Sequence, residues 1–111
     1  MLLYHTTLNY NRYSIEENGI KVAYSQGKLA AVWLHTADRT AWAFLHCVRR
    51  HGGRVEDVIT FEVEVDEQLV KRSSADQLFY TLKDVRPECI RGVRVFRMVS
   101  ASPLERSGRE S

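Results

Sequence analysis

The stretch from Val58 to Val65 alternates without a break: Ile59, Phe61, Val63 and Val65 point one way, and Thr60, Glu62 and Glu64 the other. A period of two is the mark of a half-buried strand, and such a strand needs partner strands and a layer to cover its apolar face. The other short apolar runs supply the partners. Leu2-Leu3-Tyr4 runs into His5-Thr6-Thr7, Leu29 to His35 reads Leu-Ala-Ala-Val-Trp-Leu-His, Leu78 to Leu82 is apolar, and Val93 to Val99 closes the pattern. Pro87 places a turn before that last strand.

Two segments read as helices. Asn9 to Glu17 is helix-compatible and stops at Asn18-Gly19, followed by a short extended piece over Ile20 to Ala23. Arg39 to His51 is the clearest helix, with Asp38 as a candidate N-cap and Gly52-Gly53 as the stop. Ala41, Phe44, Leu45 and Val48 fall at i, i+3, i+4 and i+7 and make an apolar face. Trp42, His46 and Arg49 form a neighbouring stripe at the same spacing. Asp66 to Arg72 is compatible with one helical turn, and Ser73 to Asp76 with a loop. Helices early and strands late predict an α+β fold in place of a repeating doubly wound sheet.

With 111 residues, 44% of them hydrophobic and 27% charged, the chain has the makings of one domain with one modest core. The domain is expected over residues 1–99, and residues 100–111, without periodicity and poor in apolar residues, are expected to be a flexible polar tail. A formal net charge of +2 neither demands nor excludes a nucleic-acid partner. The two cysteines, Cys47 and Cys89, lack CxxC or metal-ligand spacing and read as reduced thiols of a cytoplasmic protein. No signal peptide is visible, and no apolar run approaches a membrane span, so no membrane partner is expected.

The four histidines show no HExxH or paired Cys/His spacing, so no metal site is expected. There is no phosphate loop after Gly52-Gly53, and neither cysteine has an activating neighbourhood. What remains is a set of polar residues at the ends of apolar strands, where a rigid sheet can present chemistry. His5, Thr6 and Thr7 leave the first strand, His35 and Thr36 the second, and Asp76 and Gln77 precede the strand at Leu78. Each has a plainer alternative. A histidine after a strand is often a structural hydrogen-bonding group, Trp33 inside a strand is often core, and Arg49 and Arg50 suit the carbonyl end of a helix dipole.

These motifs, in order, resemble the ADP-ribosyltransferase fold. Tyr4-His5-Thr6-Thr7 followed by Ser14-Ile15-Glu16-Glu17-Asn18-Gly19-Ile20 is similar to that family's "HGT … SIL-x-x-GL" opening, most clearly in the branch of RNA 2′-phosphotransferases. Val32-Trp33-Leu34-His35 with Asp38 is similar to its "VHLS-x-D" strand, Arg50-His51-Gly52 to its "RHG" helix end, and Phe61 to Asp66 to its "VLxVD" strand. Leu78 to Ile90 is similar to the "GVWLT-x-x-VPPEYI" close. The resemblance implies a split antiparallel β-sheet core with two main helices and a cleft that takes NAD as substrate. It implies mono-ADP-ribosylation of a protein or nucleic-acid acceptor.

Residue by residue, the resemblance puts His5, helped by Thr6, on the adenosine ribose. Trp33 takes the place of the tyrosine in an H-Y-E arrangement, Trp42 or Phe44 would stack near the nicotinamide, and Arg50 would contact phosphate. Thr7 and His35 complete the cofactor-binding set, and the third, catalytic position falls at Asp76 or Gln77. A carboxylate there could orient a ribose hydroxyl and stabilise the cationic character that develops as nicotinamide departs. The chain departs from the family at Thr6, where the family has glycine, and at Trp33. It also begins directly at the first strand, with no N-terminal lobe, which argues against removal of a tRNA 2′-phosphate. A nucleotide-binding module of the same fold without turnover, a phosphotransferase-like enzyme on 2′-phosphorylated RNA, and an α+β interaction domain with a structural His5 stand as alternatives.

Overall fold

A computed structural model describes residues 1–25, 29–73 and 78–95. Strand β1 spans Leu2–Leu8, helix α1 Arg12–Asn18, strand β2 Val32–Leu34 and helix α2 Thr40–His51. Strands β3 (Val58–Glu64), β4 (Val70–Ser73), β5 (Leu78–Thr81) and β6 (Ile90–Val95) follow. They form two antiparallel three-stranded sheets, in the orders β1-β3-β6 and β2-β5-β4. The fold is therefore α+β with two helices and a divided sheet. Among the described residues no helix is long and apolar enough to cross a membrane.

Among the described residues, one backbone bridge joins the two sheets. Tyr4 of β1 and His35, just past β2, exchange both backbone hydrogen bonds, at 2.9 and 2.8 Å. A second antiparallel bridge, Ile20 with Val85, ties the chain after α1 to the chain after β5. It requires Gly19, whose φ is +81° and whose hydrogen stands where a Cβ would meet the Val85 carbonyl oxygen at 2.0 Å. Only glycine tolerates that conformation and that approach.

Register explains the core. In β1 and β3, Leu3 pairs with Val63, His5 with Phe61 and Thr7 with Ile59, so these residues share one face. That face meets Val32 and Leu34 of the other sheet, with Ile15, Ile20 and Val85, in the main core. The opposite face of β3 carries Val58, which packs with Phe44 and Cys47 of α2 and the half-buried Leu8. Strand β3 is the centre of its sheet and is covered on both sides, so Val58 to Phe61 are all buried. The alternation predicts a solvent face for Thr60; α2 covers it instead.

Several boundaries differ from those expected. The first helix begins with a 3-10 turn, Asn9–Asn11, before α1, and Val22–Tyr24 is a 3-10 turn in place of an extended end. Strand β2 keeps only Val32–Leu34 of the predicted run. Asp38 does not cap α2: it lies in a 3-10 turn, Ala37–Arg39, and its carboxylate accepts the Thr36 hydroxyl. The buried face of α2 is Ala43, Phe44 and Cys47, with Val48 half-buried, while Ala41 and Leu45 are exposed. Only Glu67–Leu69 of the expected turn after Asp66 is helical, and Val70–Ser73 forms edge strand β4. Strand β6 starts earlier than Val93, and residues 96–99 and the tail over 100–111 lie outside the described residues.

Candidate functional site: the cleft between the sheets

Beyond the Tyr4–His35 bridge the two sheets diverge, and the gap opens into a cleft of about 760 Å³. Its walls come from β1, β2, α1, helix α2 along its length from Trp42 to His51, and the chain around Ile20 to Ser25. A gap between sheets costs backbone polar groups their ladder partners, and each needs a substitute. His5 provides one. Its Nδ1–H donates to the Trp33 carbonyl oxygen at 2.8 Å, across the split. A carbonyl can only accept, so the neutral ring keeps its lone pair on Nε2. No described residue hydrogen-bonds that nitrogen, and His5 lines the cleft. Burial pushes the His5 imidazole below its ordinary range, helped by the His35 charge and partly offset by the Trp33 carbonyl. The ring therefore presents a hydrogen-bond acceptor at neutral pH.

His35 is placed differently. Only 5% exposed, it donates from Nδ1 to the Thr36 carbonyl at 2.8 Å and bonds Thr6 Oγ1 through Nε2 at 2.7 Å. Nε2 must accept, so the Thr6 hydroxyl donates to it. The Thr60 hydroxyl, 2.7 Å from Thr6 Oγ1, then donates to Thr6. One directed chain runs from Thr60 through Thr6 to His35, on the α2 side of β1 and β3. Burial lowers the His35 pKa first, Arg39 lowers it further, and the Thr36 carbonyl and Asp38 oppose. Both imidazoles are thus held neutral.

Seven of the expected binding residues line this cleft: His5, Thr6, Thr7, Trp33, His35, and from α2 Trp42 and Arg50. The Thr7 hydroxyl accepts from Asn11 Nδ2 at 3.0 Å, which ties β1 to the turn before α1. The half-buried Trp33 ring packs against Tyr80 of β5 at 5.0 Å, and Trp42 stacks on His46 at 5.0 Å with planes 13° apart. Phe44 is not brought to the cleft: it is 4% exposed and packs with Cys47 and Val58, because it falls on the buried stripe of α2. Asp76 and Gln77 lie outside the described residues; Leu78, which follows them, lines the cleft.

Residues that strand-end reasoning passes over also reach the cleft. Tyr10 follows β1, Tyr24 lies in the 3-10 turn after α1, and Lys21 precedes that turn. Loop aromatics carry no periodic signal, so nothing in the spacing marks them. Among the described lining residues there are aromatic rings, imidazoles, Lys21 and Arg50, and no aspartate or glutamate. The chain has 14 acidic residues against 16 Lys and Arg, so composition alone does not account for that exclusion. Cys47 also lines the cleft, but burial pushes its thiol up and leaves it a poor nucleophile. No family model matches the chain, and no curated protein matches its sequence.

Proposed function

We propose that the cleft binds NAD and that the protein transfers ADP-ribose from it to an acceptor. One observation carries the reading: a cleft of about 760 Å³ with aromatic and basic walls and no carboxylate among its described lining residues. The volume is within the ordinary range for a small-molecule site. Pyrophosphate needs cationic neighbours, which Arg50 and Lys21 supply, Lys21 standing 3.8 Å from Asp84, and the heterocycles need flat apolar faces, which Tyr10 and Trp33 offer. His5 supports the reading with its acceptor nitrogen, suited to a ribose hydroxyl. Thr6 is committed to His35 and Thr60, so its part is to fix the β1 wall and not to donate to ligand.

Catalysis needs a further group to stabilise positive charge at the ribose carbon, and Asp76 or Gln77, just before Leu78 at the cleft, is the proposed source. Purified protein incubated with NAD, followed for free nicotinamide, tests this. Release that falls more than tenfold in His5→Ala and in an Asp76→Asn, Gln77→Ala double variant is expected. Failure of wild type to bind NAD by calorimetry overturns it. A second reading, a nucleotide-binding module without turnover, is favoured by the missing carboxylate among the described walls. It predicts binding with no nicotinamide release.

A further inference from the structure

Helix α2 carries a stripe that its core contacts do not use. Arg39 precedes the helix, and Trp42, His46 and Arg49 continue from it at helical spacing. The Arg39 guanidinium lies 4.7 Å over the Trp42 ring, and Trp42 lies parallel to His46. Three planar groups are thus layered along the outside of the helix, held by cation–π and stacking contacts. Arg39 Nε, a buried atom, has no hydrogen-bond partner among the described residues. Trp42 and His46 line the cleft, and so do Tyr10 and Tyr24, whose side chains are nonetheless 79% and 77% exposed. Exposed tyrosines at the mouth of a cleft contribute little to folding, and water is a poor solvent for their ring faces. The mouth therefore presents separate ring faces beside cations, and its described walls carry no acid.

We infer that this mouth is a landing surface for single-stranded nucleic acid, with unpaired bases stacking on Tyr10 and Tyr24 beside the Arg39–Trp42–His46 stack. Arg39, Arg49 and Lys21 attract the strand's phosphates. Lys21 stands 3.8 Å from Asp84, an exposed pair that partly offsets its charge. Aromatic platforms interleaved with cations are the general solution for single strands, because every base has a ring face and every nucleotide a charge. A duplex hides its ring faces and fits poorly. Resting on the NAD reading above, the strand is the ADP-ribose acceptor. An oxygen or nitrogen of the strand bonds to the anomeric carbon as the bond to nicotinamide breaks, nicotinamide leaves neutral, and the acceptor's proton goes to solvent.

The binding half stands without NAD, and fluorescence anisotropy of labelled oligonucleotides of about 15 nucleotides tests it alone. Single-stranded RNA and DNA of one sequence are compared with the matched duplex. Saturable binding of a single strand is expected, weakened about tenfold by Tyr10→Ala or Tyr24→Ala, since one lost stacking platform has about that effect. The Phe variants at both positions retain binding within about twofold. Tyr13→Ala is the control, because Tyr13 is 81% exposed yet does not line the cleft. It leaves binding unchanged, and because strand binding is read without NAD, a failed NAD site and a failed strand surface give different results. Preference for RNA or for DNA names the natural strand, and either supports the inference. Absence of single-strand binding, equal binding of duplex, or an equal loss in Tyr13→Ala overturns it.

Discussion

Lowering the pH from 7.5 to 5.5 is expected to unload stability through two histidines. His5 and His35 both have pKa values below the ordinary 6.5, mainly because the charged ring is buried. The unfolded chain therefore binds their protons first, and stability is complete above about pH 6.5 and falls as pH drops below it. Protonation of the unfolded chain alone caps the loss over this interval at about 1.4 kcal/mol for each ring. His35, 5% exposed, should lose more of this than His5, which lines the cleft. The charges around His35 pull in both directions, with Arg39 against protonation and Asp38 for it. Asp38 does not blur the window, since the hydrogen bond from Thr36 holds its carboxylate below the usual range. Urea denaturation at fixed temperature across the range measures the effect. With a slope of about 1 kcal/mol/M for so small a domain, the midpoint should fall by about 1–2 M. His35→Gln should remove the larger share of the pH dependence. A midpoint that stays level, or rises toward acid, would show that the rings are not held neutral by burial.

Thr6→Val is expected to cost about 2–5 kcal/mol in denaturant titrations, because it strands both His35 Nε2 and the Thr60 hydroxyl in buried positions. Thr60→Val should cost only about 1 kcal/mol, since Thr6 keeps its bond to His35 and faces a cleft that water can enter. Gly19→Ala, with a Cβ driven to 2.0 Å from the Val85 oxygen at a φ of +81°, should lower the thermal midpoint by more than any exposed Gly→Ala, at about 2–4 kcal/mol. Phe61→Ala, fully buried at the centre of β3, should cost about 3–5 kcal/mol by the same titration.

Elements held by their own period are legible in the sequence. The alternation of Val58 to Val65 gives β3 to within a residue, and the Gly52 stop, at φ +69°, ends α2 where expected. Elements whose identity depends on a neighbour are not. Val70-Lys71-Arg72-Ser73 has no apolar pattern of its own and is a strand because β5 offers a ladder; its lysine and arginine suit an unprotected edge. The α2 face shows the same limit. Phe44 and Val48 fit two overlapping stripes, one completed by Ala41 and Leu45 and the other by Ala43 and Cys47. Docking against Val58 selects the second. That choice also takes Phe44 into the core and turns Trp42 toward the cleft.

The candidate site divides along the same line. Strand-adjacent polar residues are a sound signal of where a cleft will be, and His5, Thr7 and Trp33 do line it. What a residue does there depends on pairings that strand position does not encode. His5 is not at the end of its strand, for β1 continues to Leu8, and its imidazole lies on the core face opposite Phe61. Its presence among apolar neighbours is explained by the split itself: where β1 and β2 part, the Trp33 carbonyl loses a ladder partner, and Nδ1–H replaces it. The same bond fixes the tautomer and leaves Nε2 as an acceptor toward the cleft. The structural and cleft-lining roles of His5 are therefore not rivals. One ring nitrogen closes the sheet, which orients the other. His35, identical in chemistry, spends both nitrogens on the Thr36 carbonyl and the Thr6 hydroxyl and has neither left for a ligand. Two histidines that look equivalent in sequence are separated by a single available lone pair.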